Sequence, residues 1–205
     1  MNEIVQLNDA IFEPHRPSGR DVEKAFRTIF QWMGENPDRD GLRDTPARLV
    51  RAYEEYFAGY TEDPEQILSK TFEETDGYNE MVLLRAIPFE SHCEHHMAPI
   101  IGRAWVAYLP TERVVGISKL ARVVEAYAKR LQIQERLTAQ IAHTINDALA
   151  PQGVAVLVKA EHHCMSTRGV HVHGTDMVTS MMLGRFRDDP ELRREFLAMV
   201  NDKNA

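Results

Sequence analysis

The chain has 205 residues, 43% hydrophobic and 27% charged, with 24 Lys and Arg against 31 Asp and Glu for a formal charge of −7. That composition suits a globular protein with a sizeable core, and the acidic balance argues against a nucleic-acid binder, whose phosphate contacts need a basic surface. No run reaches the ~18 consecutive apolar residues of a membrane span, and Met1-Asn2-Glu3 opens no secretory signal, so no membrane partner and a cytoplasmic location are expected. Two cysteines in a reducing compartment point to a metal or to catalysis before a disulfide.

Residues 1–20 hold Pro14, Pro17 and Gly19 without apolar periodicity and read as a mobile or partner-dependent arm. From Asp21, the residues Val22, Ala25, Phe26, Ile29, Phe30 and Met33 recur at helical spacing, predicting an amphipathic helix that Asn36-Pro37 and Gly41 end. Asp44-Thr45-Pro46 supplies an N-cap with proline in the first turn. The helix it opens runs to about Gly59 with Leu49, Tyr53, Tyr56 and Phe57 inward, and Asp63-Pro64 opens a short third. At Tyr78 the texture changes. Met81 to Phe89 and Ile100 to Leu109 read as strands rich in branched and aromatic residues, and Pro88 marks an edge or a bulge.

After Gly116, Ser118 can cap a helix with Leu120, Val123, Val124, Tyr127 and Leu131 in register. The pattern lapses over Gln132 to Arg136 and resumes in a new phase at Leu137, Ile141, Ile145, Ala148 and Leu149, so two helices are expected rather than one. Val154 to Cys164 alternates as a strand, and its period of two puts Val154, Val156, Val158, Ala160, His162 and Cys164 on one face. Thr175 to Phe186 reads as the last strand, and Asp189-Pro190 caps a final helix with Leu192, Phe196 and Val200 inward. The order is α+β: N-terminal helices, then a four-stranded antiparallel sheet with two helices inserted between its second and third strands. The expected division is an arm and helical region over 1–77 and a catalytic domain over 78–205.

Chemistry concentrates in Cys93-Glu94-His95-His96, in the connection between the first two strands, and in Glu161-His162-His163-Cys164. Five of nine histidines (His92, His95, His96, His162 and His163) flank the only two cysteines, and thiolate with imidazole is the ligand set Zn²⁺ prefers. Cys93 and His96 form a C-x-x-H step, and Cys164 is the candidate third ligand. Three protein ligands leave one tetrahedral position for water, the mark of a catalytic zinc. A Cys93–Cys164 disulfide and inert buried thiols are the competing readings.

Four segments resemble those of the GTP cyclohydrolase I family in order and spacing: Cys-Glu-His-His at 93–96, Gly-Ile-Ser-Lys-Leu-Ala-Arg at 116–122, Gln-Glu-Arg-Leu-Thr at 134–138 and His-His-Cys-Met-Ser-Thr-Arg-Gly-Val at 162–170. The resemblance covers roughly Arg43 to the C-terminus. It implies the tunnelling fold, a ring of subunits that is typically a decamer, and hydrolysis of GTP to 7,8-dihydroneopterin triphosphate and formate at the entry to folate and pterin synthesis. Allosteric control stays open.

On that footing Cys93, His96 and Cys164 are expected to hold Zn²⁺, with His162 and His95 as proton carriers and Ser118 handling the ribose after deformylation. Lys119, Arg122 and Arg168 are expected to take the triphosphate, and Arg48 resembles a family arginine that reaches it across a subunit boundary. Glu135 matches the family's base-reading glutamate, with Gln134 beside it also assigned to the substrate. A carboxylate can accept both N1–H and the 2-amino group of guanine, a pair of donors that adenine lacks. His163, His171 and His173 receive no role. Two other classes compete: a non-catalytic zinc module closed by His95 or His163, and a related tunnelling-fold enzyme with a cysteine nucleophile. Neither needs a triphosphate pocket, so the basic residues at 119, 122 and 168 argue against both.

Overall fold

A computed structural model of the chain describes residues 16–72 and 77–201, so most of the expected N-terminal arm lies outside the described residues. The chain divides into two compact units, Met1–Glu55 and Tyr56–Ala205. In the first, α1 (Gly19–Trp32) starts where Ser18 accepts from Asp21 N, two residues before the expected start. It meets α2 (Thr45–Tyr56) through an edge-on contact of the Phe26 and Tyr53 rings, 5.3 Å apart. The predicted inner face of α1 is only partly covered: Phe30 is buried, while Ile29 and Met33 remain exposed. Tyr56, expected inward, is 46% exposed.

The second unit is built on a sheet ordered β5-β2-β3-β6-β7. Its strands β2 (Val82–Cys93), β3 (Pro99–Leu109), β6 (Gly153–His162) and β7 (Met177–Gly184) are antiparallel, as expected. Absent from the sequence reading are a two-residue edge strand, β5 (Leu131–Gln132), which runs parallel to the end of β2, and a ribbon of β1 (Thr71–Phe72) with β4 (Val114–Val115). Pro88 follows a bulge: the register shifts between Leu84 and Ile87, with Ala86 at φ 53°, and no described strand lies beside β2 at Pro88 on the side away from β3.

Both faces of the sheet are covered. On one lie α3 (Pro64–Leu68), capped by Asp63, and the inserted helices α4 (Ile117–Ala128) and α5 (Gln134–Leu149), whose Leu120, Val123, Val124, Leu137, Ile141 and Ile145 pack with Val106, Val154, Val156 and Val158. On the other, Ala107, Ala155 and Leu157 pack with Phe186 of α7 (Arg185–Asp188) and Phe196 of α8 (Pro190–Asn201). Interior strand β6 is therefore buried on both sides, although its alternation suggested one inner face. Gly102 of β3 is required by close approach, since a Cβ there would stand 2.4 Å from Lys159 O.

Leu131, expected in register on the helix after Gly116, lies in β5 beyond the end of α4 at Ala128, and three further boundaries at the site differ from expectation. Strand β2 runs on to Cys93, which closes a strand instead of lying in the connection. Helix α4 has Gly116 as N-cap, so Ser118 sits inside the first turn and caps nothing. Strand β6 stops at His162, and Cys164 belongs to the short helix α6 (His163–Ser166), where strand alternation no longer describes its direction.

Candidate metal centre and active site

The site forms where two strand ends meet. Cys93, the last residue of β2, pairs with Gln132 of β5, and the chain then reverses in a turn closed by Cys93 N to Ala98 O at 2.9 Å and Met97 N to Cys93 O at 2.7 Å. Met97 holds φ 52° to complete the reversal, which brings His95 and His96 round to the same end of the sheet. Strand β3 begins beside them and pairs Ile100 with His162, so β6 ends there too and α6 carries Cys164 to the turn.

One ligand atom from each of Cys93, His96 and Cys164 lies within 4.8 Å of the other two. The donor chemistry fits zinc: at Zn–S of about 2.3 Å and Zn–N of about 2.0–2.1 Å, ligands of one tetrahedral ion stand roughly 3.5–4 Å apart. Both cysteines are free, which sets the disulfide reading aside. Burial pushes the Cys164 thiol up, and neighbouring Cys93 pushes it further, against a smaller pull from Arg168. Two adjacent thiols resist becoming two thiolates unless a cation stands between them, which is what a metal would provide. The turn's remaining histidine, His95, lies with Nδ1 3.7 Å from Cys93 Sγ, outside the three-residue group.

Arg168 stands at the rim, with Nη1 2.7 Å from His96 Nε2. On the other side His162 Nε2 meets Gln134 Oε1 at 2.8 Å. Burial pushes the His162 imidazole down, favouring its neutral form, and the nearby charge of Glu135 partly offsets it. His92, pushed down by burial alone, sits against the Tyr56 and Phe57 rings at 4.9 and 5.2 Å.

Among the other expected site residues, Glu135 is exposed in the first turn of α5, where its charge reaches His162. Ser118, Lys119 and Arg122 lie on the first two turns of α4, and Arg122 lines a cavity of about 260 Å³ with Glu62, Glu125 and Lys129. Arg48 belongs to the N-terminal unit, where its guanidinium donates to Thr45 Oγ1 at 2.8 Å. Gln134 is buried, with its amide within hydrogen-bond distance of Val158 O, Met177 O, Thr179 Oγ1 and His162 Nε2.

Sequence reasoning missed the residues that brace the turn. Gln132 donates to Tyr127 O and to Gln140 Oε1, both at 2.9 Å, and accepts from Arg136 Nε at 3.2 Å. Arg136 in turn forms a short ion pair with Glu94, between Cys93 and His95. The available signal was the lapse of apolar periodicity over Gln132 to Arg136, a polar stretch whose Gln132 is fully buried.

The match to the family model described as GTP cyclohydrolase I spans residues 22–201. The GTP cyclohydrolase 1 of Hyphomonas neptunium is 56% identical over 184 residues, covering 90% of this chain and 89% of that protein. Those of Maricaulis maris and Sinorhizobium fredii are 54% and 51% identical over 185 residues, each covering 90% of both chains.

Proposed function

This chain belongs to the GTP cyclohydrolase I family, and from that membership we propose that it converts GTP and water to 7,8-dihydroneopterin triphosphate and formate, the first step of tetrahydrofolate and pterin biosynthesis. The observation that carries the reading is the convergence of Cys93, His96 and Cys164 beside Arg168, a zinc donor set with a cation at its rim. Zinc bound there supplies the Lewis acidity that makes a water nucleophilic near neutral pH.

The chain's own residues do the rest. His162, whose neutral form burial favours, takes and returns the proton that attack at C8 of guanine requires, with His95 as the second carrier. Glu135 accepts N1–H and the 2-amino group together, and Ser118 handles the ribose once formate has left. Lys119, in the first turn of α4, adds its charge to that helix's N-terminal dipole, and with Arg122 and Arg168 it holds the triphosphate. Arg48 reaches the same group from a neighbouring subunit.

A cytoplasmic homo-oligomer, most simply a decamer, completes the proposal. In support, β7 is an edge strand whose outer side no described strand pairs, a surface that ring closure would use. No described helix is long and apolar enough to cross a membrane. The catalytic domain is taken as residues 78–205, which contain every proposed site residue except Arg48. Zinc-loaded protein incubated with GTP should release formate and build a pterin chromophore, and zinc-loaded protein that leaves GTP intact would refute the proposal.

A further inference from the structure

Gln134 opens α5 with its side chain 1% exposed. Its Nε2 lies 3.1 Å from Val158 O, 2.9 Å from Met177 O and 3.2 Å from Thr179 Oγ1, and its Oε1 lies 2.8 Å from His162 Nε2. Backbone carbonyls only accept, so the amide nitrogen must face the two strands and Oε1 must face the imidazole. The neighbouring hydroxyls run in the same direction. Thr138 Oγ1 donates to Gln134 O at 2.7 Å, which leaves it to accept from Thr179 Oγ1 at 2.6 Å. Thr179 Oγ1 is then free to accept from the Gln134 amide.

An amide oxygen carries no hydrogen, so His162 Nε2 must supply the one they share. We infer that Gln134 is a positioning residue for the reaction: it fixes His162 as the Nε2–H tautomer and leaves Nδ1 as the one ring atom that takes up or delivers the substrate's proton. A neutral imidazole has a single hydrogen and two places to put it, and in water it samples both. Here the wrong tautomer would turn two lone pairs toward each other. Flipping the amide to relieve that would set its oxygen against the carbonyls of Val158 and Met177, so the two strands, acting through Gln134, determine which nitrogen is bare. The backbone contributes as well, since His162 is still paired with Ile100 as the last residue of β6.

The inference rests on His162 being the proton carrier, and two readouts separate it from that reading. The first is the ring ¹⁵N spectrum of histidine-labelled, zinc-loaded enzyme, with the His162 signals identified by their loss in His162→Ala. A protonated Nε2 and a bare Nδ1 are expected in the neutral ring, and a protonated Nδ1 would overturn the inference.

The second is kinetic. Gln134→Leu should lower kcat by on the order of 10²-fold, the scale of misdirected proton transfer, with KM for GTP and zinc stoichiometry near wild type. It should add nothing to the loss already caused by His162→Ala, because a positioning residue acts only through the ring it holds. A further loss in that background, or a raised KM with kcat kept, would mean that Gln134 touches the substrate itself and would sink the inference. If His162→Ala stays active, His162 as proton carrier fails and the spectrum alone judges the tautomer. The wild-type spectrum likewise decides if Gln134→Leu does not fold.

Discussion

Replacing Gln132 by Leu tests whether the metal turn is braced from behind. Gln132 is fully buried, and its amide makes three hydrogen bonds, to Tyr127 O, Gln140 Oε1 and Arg136 Nε. Leucine keeps most of the volume and removes all three. The two neutral bonds contribute about 1 kcal/mol each and the one to the guanidinium about 2 kcal/mol. Burying an aliphatic side chain in place of the amide returns about 1–2 kcal/mol. The Arg136 side chain is 27% exposed and can rehydrate, which lowers the cost further. The expected net loss is therefore about 2 kcal/mol, read from urea unfolding at matched protomer concentration, because assembly adds to apparent stability. A second effect separates bracing from plain packing. Freed from Gln132, Arg136 holds Glu94 less firmly, and Glu94 sits between two residues of the metal turn. Zinc affinity should then fall about 10-fold, the lower end of what outer partners of a metal site contribute, with activity per bound zinc unchanged. Stability within about 0.5 kcal/mol of wild type together with unaltered competition against a chelator would refute the reasoning.

Cys164→Ala should lose both bound zinc and activity while keeping the fold, since α6 is a single turn and the residue is only half-buried; metal analysis showing wild-type zinc content would reject Cys164 as a ligand. Glu135→Gln turns one acceptor into a donor facing a donor of guanine. By calorimetry in a His162→Ala background it should weaken GTP binding by on the order of 10–100-fold and leave zinc content alone, and equal affinity would remove Glu135 from base recognition. Asp189 accepts from the backbone N–H groups of Leu192 and Glu191, and these bonds hold its carboxyl below the ordinary carboxylate range. A lowered folded value means that its contribution is complete above the ordinary range and disappears as pH falls through the lowered one. The stability gap between wild type and Asp189→Asn should therefore be open at neutral pH and close in acid, and a gap independent of pH would contradict the electrostatic cap.

What the sequence made legible was local. Helical spacing located α1, α4, α5 and α8, and the pile-up of histidines around two cysteines located the metal group, because periodicity and ligand chemistry are written in neighbouring residues. The misplacements of Cys93 and Cys164 share a cause, which is pairing between distant segments. Cys93 is a strand residue because Leu131 and Gln132, some forty positions on, lie parallel to the end of β2. Cys164 leaves the strand because β3 supplies partners to β6 only as far as Ile100, and beyond it a helical turn closed by Thr167 N to His163 O at 2.9 Å satisfies the backbone instead.

The same logic bears on Gln134, which the resemblance assigns with Glu135 to the substrate. Its partners are Val158, His162, Met177 and Thr179, from strands more than twenty residues away. Once β6 and β7 are seen to run past the start of α5, the same amide becomes the link that carries their hydrogen-bonding direction to the imidazole. On the proposed mechanism, adjacent residues of one turn divide the work: Glu135, exposed, would meet the base, and Gln134, buried, would set the ring expected to move the proton.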